Sequence, residues 1–415
     1  MKKYPSYKDS GIEWIGQVPK DWQVNRLKTV CTFTYGDSLT NEDRVEGGIP
    51  VFGSNGIVGY HNKAITHKPC IVIGRKGSYG KVNFSQAECF PIDTTYFVDD
   101  RSAKCDLKWL NYVLPLLELD KFSKDTGVPG LNREDAHDKR VPVPENNVQK
   151  VIAEYLDRKT AQINDLIAKK ERMIELLKEE RTAIINQAVT KGLDPNVEMK
   201  DSNTEWLGEI PKHWEVKKLK YLVDKVQTGI TPPSERTDYY DDGDIDWYTP
   251  GDFQESIRLK NSFRKINRLA IEEGVARIFP PLSVLLIGIG ATLGKVGIIE
   301  KLSSSNQQIN AITFSDKFNP FFGVYYLQAI ADTVISLSNA STLAILNQTQ
   351  TKDILMLVPP LEEQGKIFKY IQSVELRHSE IVNKEQKQID LLKEYRTALI
   401  SEVVTGKVDV REYAA

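Results

Sequence analysis

The stretch KDSGIEWIGQVPKDWQVNRLK, Lys8–Lys28, returns as KDSNTEWLGEIPKHWEVKKLK, Lys200–Lys220, at an offset of 192 with 12 of 21 positions identical. Two runs this alike in one chain mark a duplication. Trp14 and Trp22 return as Trp206 and Trp214, with Pro19 and Pro211 between the members of each pair, so the segment is expected to pack as an aromatic-pinned lead-in to each copy. Further along, GRKGSYGKV (Gly74–Val82) aligns with GIGATLGKV (Gly288–Val296) at an offset of 214. The second copy therefore carries about 22 extra residues, which fall between Tyr221 and Gly288 and include TPPSERTDYYDDGD. An insertion confined to one segment of an aligned repeat reads as a loop region free to vary, where recognition normally resides.

A third repeated block follows each domain. After Pro142 and Pro144, and again after Pro359 and Pro360, about 40 residues carry apolar side chains at helical spacing. The first run has Leu156, Ile163, Leu177 and Ile184 on a seven-residue beat broken by Lys170; the second has Ile367, Ile371, Val374, Ile381, Val382, Ile389, Leu392 and Leu399, with the beat broken by His378 and Glu385. The two runs are expected to pack along one another. The β-branched runs Ile71–Ile73, Tyr96–Val98 and Val284–Ile287, with a short helix near Trp109–Leu117, make each domain body a small α/β or α+β unit. The expected order is a first domain over 1–148, a long helix over 149–190, a linker over 191–199, a second domain over 200–362 and a second long helix over 363–405.

Length and composition agree with this plan. The chain has 415 residues, enough for two or three domains, with 40% hydrophobic and 27% charged residues. Polar Tyr4-Pro5-Ser6 follows Lys3, and the longest apolar run, near Leu282–Ile289, falls far short of the roughly 18 residues a membrane helix needs. Cys31, Cys70, Cys89 and Cys105 form no CxxC pair, so reduced thiols in a cytoplasmic protein are expected. The net charge of −2 excludes a uniformly basic coat but not local basic faces. Two windows free of acids stand out. One holds Lys63, Lys68, Arg75, Lys76 and Lys81 between Glu46 and Glu88; the other holds Arg258, Lys260, Arg264, Lys265 and Arg268 between Glu255 and Glu272. One such window in each half reads as two surfaces for a polyanion, or else as two solvated faces.

Catalytic readings fail on spacing. The glycine-rich stretch lacks the first Gly of a phosphate loop, where Ile289 stands, and the Ser or Thr after Lys295, where Val296 stands. It reads instead as a tight turn that lets Lys81 or Lys295 approach a nucleic-acid phosphate. Asn319-Pro320-Phe321-Phe322 lacks the second Pro of the adenine-methyltransferase tetrapeptide, and Glu198-Met199-Lys200 with Asp194 lies in the linker. His61, His67, Cys70 and Cys89 match no strong zinc spacing, and His137, His213 and His378 do not recur between copies. Base-edge contacts are expected from polar residues near each glycine turn: Asn55, Ser78 and Tyr79 in the first domain, and Thr292, Asn306, Gln307 and Gln308 in the second.

Three motifs carry a family resemblance over essentially the whole chain. Glu205-Trp206-Leu207-Gly208 with Pro211 and Trp214, Pro359-Pro360-Leu361-Glu362-Glu363-Gln364 with Ile367, and Arg396-Thr397-Ala398-Leu399-Ile400 with Val404-Thr405-Gly406-Lys407 resemble the domain-opening, helix-start and helix-end motifs of type I restriction-modification specificity subunits. The first copy keeps Pro144, Gln149 and Ile152 at its helix start but lacks the second Pro and the Leu. The resemblance implies two α/β target-recognition domains joined by two long antiparallel helices in a pseudo-two-fold coiled coil. It also implies no catalytic activity and no cofactor in this chain, with adenosylmethionine and ATP belonging to partners. Those partners are double-stranded DNA, two methyltransferase subunits and, in the full complex, translocase-nuclease subunits; no membrane is involved. A helix of about 40 residues spans roughly 60 Å and could hold two heads on a bipartite, asymmetric target. The readings from other classes are a coiled-coil scaffold with two protein-binding heads, and a nucleotide-dependent enzyme using the glycine turns.

Overall fold

The structure, a computed structural model, describes residues 2–121, 129–254, 256–338 and 344–413. It divides into one unit of Met1–Glu171 with Gln386–Ala415 and a second of Arg172–Glu385. Both long helices are therefore cut in the middle, each half belonging with the domain it packs on.

In the first unit the lead-in is an antiparallel hairpin of β1 (Tyr7–Asp9) and β2 (Gln17–Pro19), followed by β3 (Gln23–Arg26). The body contributes β4 (Thr34–Tyr35), β5 (Ile49–Gly53), β6 (Gly56–His61), β7 (Cys70–Gly74), β8 (Val82–Ser85), β9 (Phe90–Pro91) and β10 (Thr95–Val98). Then come α1 (Leu107–Val113), α2 (Arg133–His137), β11 (Arg140–Val143) and the long helix α3, which starts at Asn146 and ends at Lys191 in the second unit. The main sheet has the order β4-β10-β7-β8 with antiparallel neighbours, and a smaller sheet has the order β6-β5-β9 with β5 and β9 parallel. Ile71, Val72 and Ile73 are all fully buried, which is why the central strand reads as a continuous apolar run without alternation. The strand before the long helix, β11, pairs antiparallel with β3 just after the lead-in.

The second unit repeats this scheme. Its lead-in is β12 (Met199–Asp201) with β13 (Glu209–Pro211), followed by β14 (Glu215–Lys218) and β15 (Val223–Thr228). Next are β16 (Ile245–Tyr248), β17 (Arg258–Leu259), β18 (Lys265–Ile266), α4 (Arg268–Glu272), β19 (Val284–Ile287), β20 (Val296–Ile299), β21 (Ser303–Ser305) and β22 (Ile309–Phe314). The unit closes with α5 (Pro320–Ala329), α6 (Ala331–Ser336), α7 (Gln348–Asp353), β23 (Leu355–Val358) and the start of the long helix α8 (Leu361–Val404). The order β15-β22-β19-β20 reproduces the main sheet of the first unit, and β16 with parallel β21 reproduces β5 with β9. The extra residues are not a plain loop. They add β17 parallel to β20 at the sheet edge, and α4, whose Ala270 packs with Tyr239 on Ile245 and Trp247 of β16 and Ile266 of β18; β18 itself pairs antiparallel with β16 as β6 does with β5.

Of each Trp pair only the second is buried, beside Ile15 and Val18 in one lead-in and Leu207 and Ile210 in the other. Trp22 and Trp214 are buried, whereas Trp206 is exposed and Trp14 half-buried, so the pairwise pinning expected from sequence is corrected to a single anchor per copy. The reason lies at the helix ends. Gly192 and Gly406 take the left-handed conformation, φ +78° and +75°, where α3 and α8 stop, and each lies against the Trp and Pro of a lead-in. Trp214 also donates Nε1–H to Glu363 Oε1 at 3.1 Å, and Trp22 meets Tyr4 edge-on at 5.6 Å between centroids.

Within each unit the helix halves run antiparallel. In the first, Asn164 meets Arg396 and Lys170 Nζ donates to Gln388 Oε1, over a seam of buried Leu156, Ile163, Ile167, Ile389 and Leu399. In the second, buried Ile185, Ile367, Ile371 and Val374 are followed by His378, whose Nδ1–H donates to the Val374 carbonyl at 2.9 Å and whose Nε2 lies 3.4 Å from Glu180. His378 and Glu385 interrupt the apolar beat yet are buried, so the interruption is a polar layer inside the seam.

One buried amide recurs at both helix starts. Gln149 donates Nε2–H to Pro144 O at 2.8 Å and accepts Asp106 N–H on Oε1 at 2.8 Å; Gln364 does the same with Pro359 O and Asn319 N–H, at 2.8 Å each. Asp106 and Asn319 cap α1 and α5 in turn. The tetrapeptide beginning at Asn319 is thus a helix cap. Replacing Gln149 or Gln364 with Leu leaves one buried carbonyl and one part-buried N–H without this partner, with an expected cost on the order of 2 kcal/mol. In denaturant titrations with a probe in each unit, the transition of the altered unit should move to lower denaturant while the other stays in place.

Candidate nucleic-acid interface

In both copies the central strand ends in the glycine-rich turn and returns along its neighbour. The first turn closes with Gly74 N–H to Lys81 O at 2.9 Å and Gly80 N–H to Gly74 O at 2.8 Å; the second closes with Ile287 N–H to Lys295 O at 2.9 Å and Gly294 N–H to Ile287 O at 3.0 Å. Sheet register agrees, since Gly74 faces Thr95 and Ile287 faces Ile309. Gly74 therefore corresponds to Ile287, and the alignment of Gly74 with Gly288 is corrected by one residue. The second turn is one residue longer. Gly288 stands where Arg75 does: its N–H donates to Gln308 O as that of Arg75 does to Thr94 O, and its carbonyl accepts from Leu346 as that of Arg75 accepts from Leu131.

This difference removes a cation from the second turn and changes the chemistry beside it. In the first domain the Arg75 guanidinium lies 5.2 Å from the ring centre of exposed Tyr35, and that of Arg133 lies 5.1 Å away. Tyr35 packs against Tyr96 at 5.0 Å, and burial, with Tyr35 adding to it, pushes the Tyr96 hydroxyl up to about 12. Lys81 Nζ donates to Asn55 O at 3.1 Å and to Asn55 Oδ1 at 2.6 Å, tying the turn to the β5–β6 hairpin. Lys76 and Ser78 are exposed on the turn itself and Tyr79 is half-buried. Lys63 is exposed on the segment leaving β6.

In the second domain, a cavity of about 540 Å³ brings Arg264, Thr292, Asn306, Gln307 and Gln308 together, with Thr231 and Trp247 on its wall. Asn306 Nδ2–H donates to Gln308 Oε1 at 2.9 Å, Asn306 Oδ1 accepts from Gln308 N–H at 3.1 Å and the Thr231 hydroxyl donates to Gln307 Oε1, so buried Asn306 fixes half-buried Gln308 while exposed Gln307 keeps its amide N–H groups for a ligand. Arg264 lies 5.8 Å from the Tyr240 ring centre. Lys260, Lys265 and Arg268 are exposed nearby in sequence; Glu255, which opens this basic window, lies outside the described residues. Lys295 faces a neighbouring cavity of about 680 Å³ shared with Lys178 and Arg181 of α3. Arg258 is placed apart from the groove, paired with Glu300 and lying 5.0 Å from the Phe321 ring centre on α5.

Tyr35, Arg133, Thr231 and Trp247 were not legible as site residues. Tyr35, Arg133 and Thr231 reach the surface through sheet pairing or a distant connection, while buried Trp247 backs the groove, and no charge run or motif marks any of them. The remaining residue sets weighed from sequence resolve into local structure. Among the described residues no three His, Cys, Asp or Glu side chains group as metal ligands: His67 pairs with Asp100 at 2.8 Å, and the Cys70 and Cys89 sulfurs, 3.3 Å apart, sit inside the core. Glu198 pairs with Lys212 at 2.5 Å.

The profile of the type I restriction modification DNA specificity domain matches residues 19–176 and 211–391. The MjaVIII type I restriction enzyme specificity subunit of Methanocaldococcus jannaschii is 25% identical over 422 residues, covering 95% of each chain. The EcoKI specificity subunit of Escherichia coli K12 is 24% identical over 254 residues, covering 56% of this chain and 50% of its own. Among solved structures, a chain from a study of complex assembly and conformational transition in the type I system superposes with a TM-score of 0.71 at 14% identity, covering 94% of this chain and 99% of its own. The HsdS subunit of Thermoanaerobacter tengcongensis superposes with a TM-score of 0.57 at 15% identity, covering 94% and 98%. Two homologous domains, each displaying cations and amides around a glycine turn, define a two-headed recognition subunit. The chain belongs to the type I restriction-modification DNA specificity family, and as a specificity subunit it is a non-catalytic DNA-recognition component.

The placements separate two kinds of arginine. Arg264→Ala with Lys265→Ala should weaken binding to duplex DNA and flatten the slope of log affinity against log salt by about one for each phosphate no longer neutralised. Arg258→Ala should lower thermal stability and leave that slope unchanged. An unchanged slope in the Arg264 and Lys265 variant would show that the groove is not the DNA surface, and a flatter one in Arg258→Ala would place Arg258 on that surface.

Proposed function

We propose that this subunit reads a bipartite, asymmetric DNA target and positions two methyltransferase subunits, joined in the full complex by translocase-nuclease subunits. In this reading the recognition domains are residues 1–148 and 200–362, connected by the linker 191–199, and the long helices run over 149–190 and 363–405. The observation that carries it is the contrast between the two heads. They share a sheet order and the buried Gln at the helix start, but one shows Arg75 and Arg133 around Tyr35 and the other a groove of Asn306, Gln307 and Gln308. Different side chains on one scaffold read different bases, so the half-sites do not form a palindrome. The phosphate contacts expected are Lys63, Arg75, Lys76, Lys81, Lys260, Arg264, Lys265, Arg268 and Lys295, with Asn55, Ser78, Tyr79, Thr292 and the three amides at base edges. Among the described residues no helix is long and apolar enough to cross a membrane.

The gap between half-sites tests the reading. Four residues added after Lys170 and four after Glu385 lengthen each helix by about 6 Å, close to two base-pair steps. Methylation mapping should then show sites with a longer gap, or none. Unchanged methylation at the original gap would show that the helices do not set the spacing.

The helices also present the surface expected to hold the methyltransferase subunits. Leu176 and Leu391 occupy matched positions in the repeat and are 48% and 53% exposed, whereas their neighbours Leu177 and Leu392 are half-buried. Leu176→Asp with Leu391→Asp should lose copurifying methyltransferase while keeping thermal stability. Leu177→Asp or Leu392→Asp should cost assembly and stability together. Full methyltransferase stoichiometry in the exposed double variant would reduce the helices to spacers.

A further inference from the structure

Among the described residues, Phe263 is the most exposed large hydrophobic, at 77%, and it sits between β17 and β18. Its position is fixed by two buried carboxylates. Phe263 N–H donates to Asp252 Oδ1 at 2.6 Å, and Asp252 Oδ2 accepts from the Thr249 N–H and hydroxyl at 2.7 and 2.8 Å. One residue earlier, Ser262 donates both N–H and Oγ–H to Asp246 Oδ1 at 3.0 Å each, and Asp246 Oδ2 pairs with Lys301 at 2.5 Å. Burial opposes ionisation of Asp246, but Lys301 and the Ser262 donors outweigh it and hold the carboxyl below its usual range. Both carboxylates are more than nine-tenths buried, so the backbone carrying the ring is anchored to the domain interior while the ring stands in water.

The surroundings of the ring select its partner. Exposed Lys260 precedes it, exposed Arg264 and Lys265 follow it, and Arg264 also lines the groove of Thr292 and Gln307. A flat apolar face among cations matches the flat apolar face of a base among phosphates. An apolar pocket on a protein would have no need of three cations. The segment lies in the stretch by which the second copy exceeds the first, so this feature belongs to one head only.

We propose that Phe263 is a base-stacking residue of the second recognition domain, its ring entering the duplex beside the groove and stacking on a base that the protein partly unstacks. This rests on the DNA-reading function above and adds a specific contact to it.

The test uses the full chain and duplexes that the wild-type protein enriches from a random-sequence pool. Phe263→Ala and Phe263→Leu should each bind about 5- to 100-fold more weakly, the loss expected for one base–aromatic stack, with the salt slope unchanged. Phe263→Trp should bind within about twofold of wild type. With 2-aminopurine placed in turn along the enriched sequence, one position should change fluorescence on binding wild type and not on binding Phe263→Ala. Alanine binding as tightly as wild type, leucine restoring affinity, or the same aminopurine signal in both proteins would overturn the stacking role while leaving DNA recognition standing. If the wild-type chain enriches no sequence and shows no steep salt dependence, the DNA-reading function itself fails, and the stacking role with it.

Discussion

A buried amide ties each head to the start of its long helix, with Tyr112 to Asp157 in one unit and Tyr325 to Glu375 in the other adding to the joint. Gln149 and Gln364 bridge the carbonyl just before a long helix and the N–H that opens the first short helix of the same domain, with all four distances at 2.8 Å. The carbonyls they satisfy are buried and the N–H groups part-buried, so losing the amide leaves polar groups with little access to water. Because α1 and α5 pack under the main sheet through fully buried Trp109 and Phe322, fixing those helices fixes the sheet on the spacer. The glycine turn at the end of the central strand is then held in a defined direction relative to the half-helix beneath it. A recognition surface carried by a loose joint would read bases poorly, since direct readout depends on donors and acceptors placed to within a fraction of an ångström.

The same scaffold carries two chemistries because its variable parts sit outside that joint. One extra residue in the second turn replaces Arg75 with Gly288 at the position that hydrogen-bonds the neighbouring strand, and the backbone pattern survives because only N–H and C=O take part. The extra residues pack Tyr239 and Ala270 onto Trp247 and Ile266 of the smaller sheet, so they add surface without disturbing the main sheet. Asp246 and Asp252 then connect their outermost segment back to the interior. Each change is local in energy and large in what it shows to a ligand.

Much of this was legible in the sequence, and the rest was hidden for identifiable reasons. The duplicated lead-in, the two long helices and the central strands Ile71–Ile73 and Val284–Ile287 announce themselves by identity, periodicity or apolar runs. Gln307 and Gln308 could be picked out by their nearness to the turn. The one-residue shift at Gly288 could not, because identical Gly-Lys-Val ends hold an ungapped alignment in place. Tyr35 and Arg133 are about a hundred residues apart and meet only through the pairing of β4 with β10 and the return of the chain past Gly130. Arg258 reads as part of a basic window, yet Glu300 neutralises it across a parallel strand pair that no local pattern encodes.

The way the helices are shared between units has a consequence for the order in which the protein is made. The second unit is one continuous stretch, Arg172–Glu385, whereas the first needs Gln386–Ala415 to cover the seam of Leu156 and Ile163. During synthesis the earlier domain therefore waits, with part of its helix uncovered, until Ile389 and Leu399 have left the ribosome, while the later domain can finish first. Closing the first unit brings together segments more than two hundred residues apart, a step whose entropy cost grows only slowly with length but whose delay leaves apolar surface open in the meantime. The stretch at risk in the nascent chain is the front half of the first long helix, and any factor that covers it before residue 386 appears would act on the yield of folded subunit without touching its final stability.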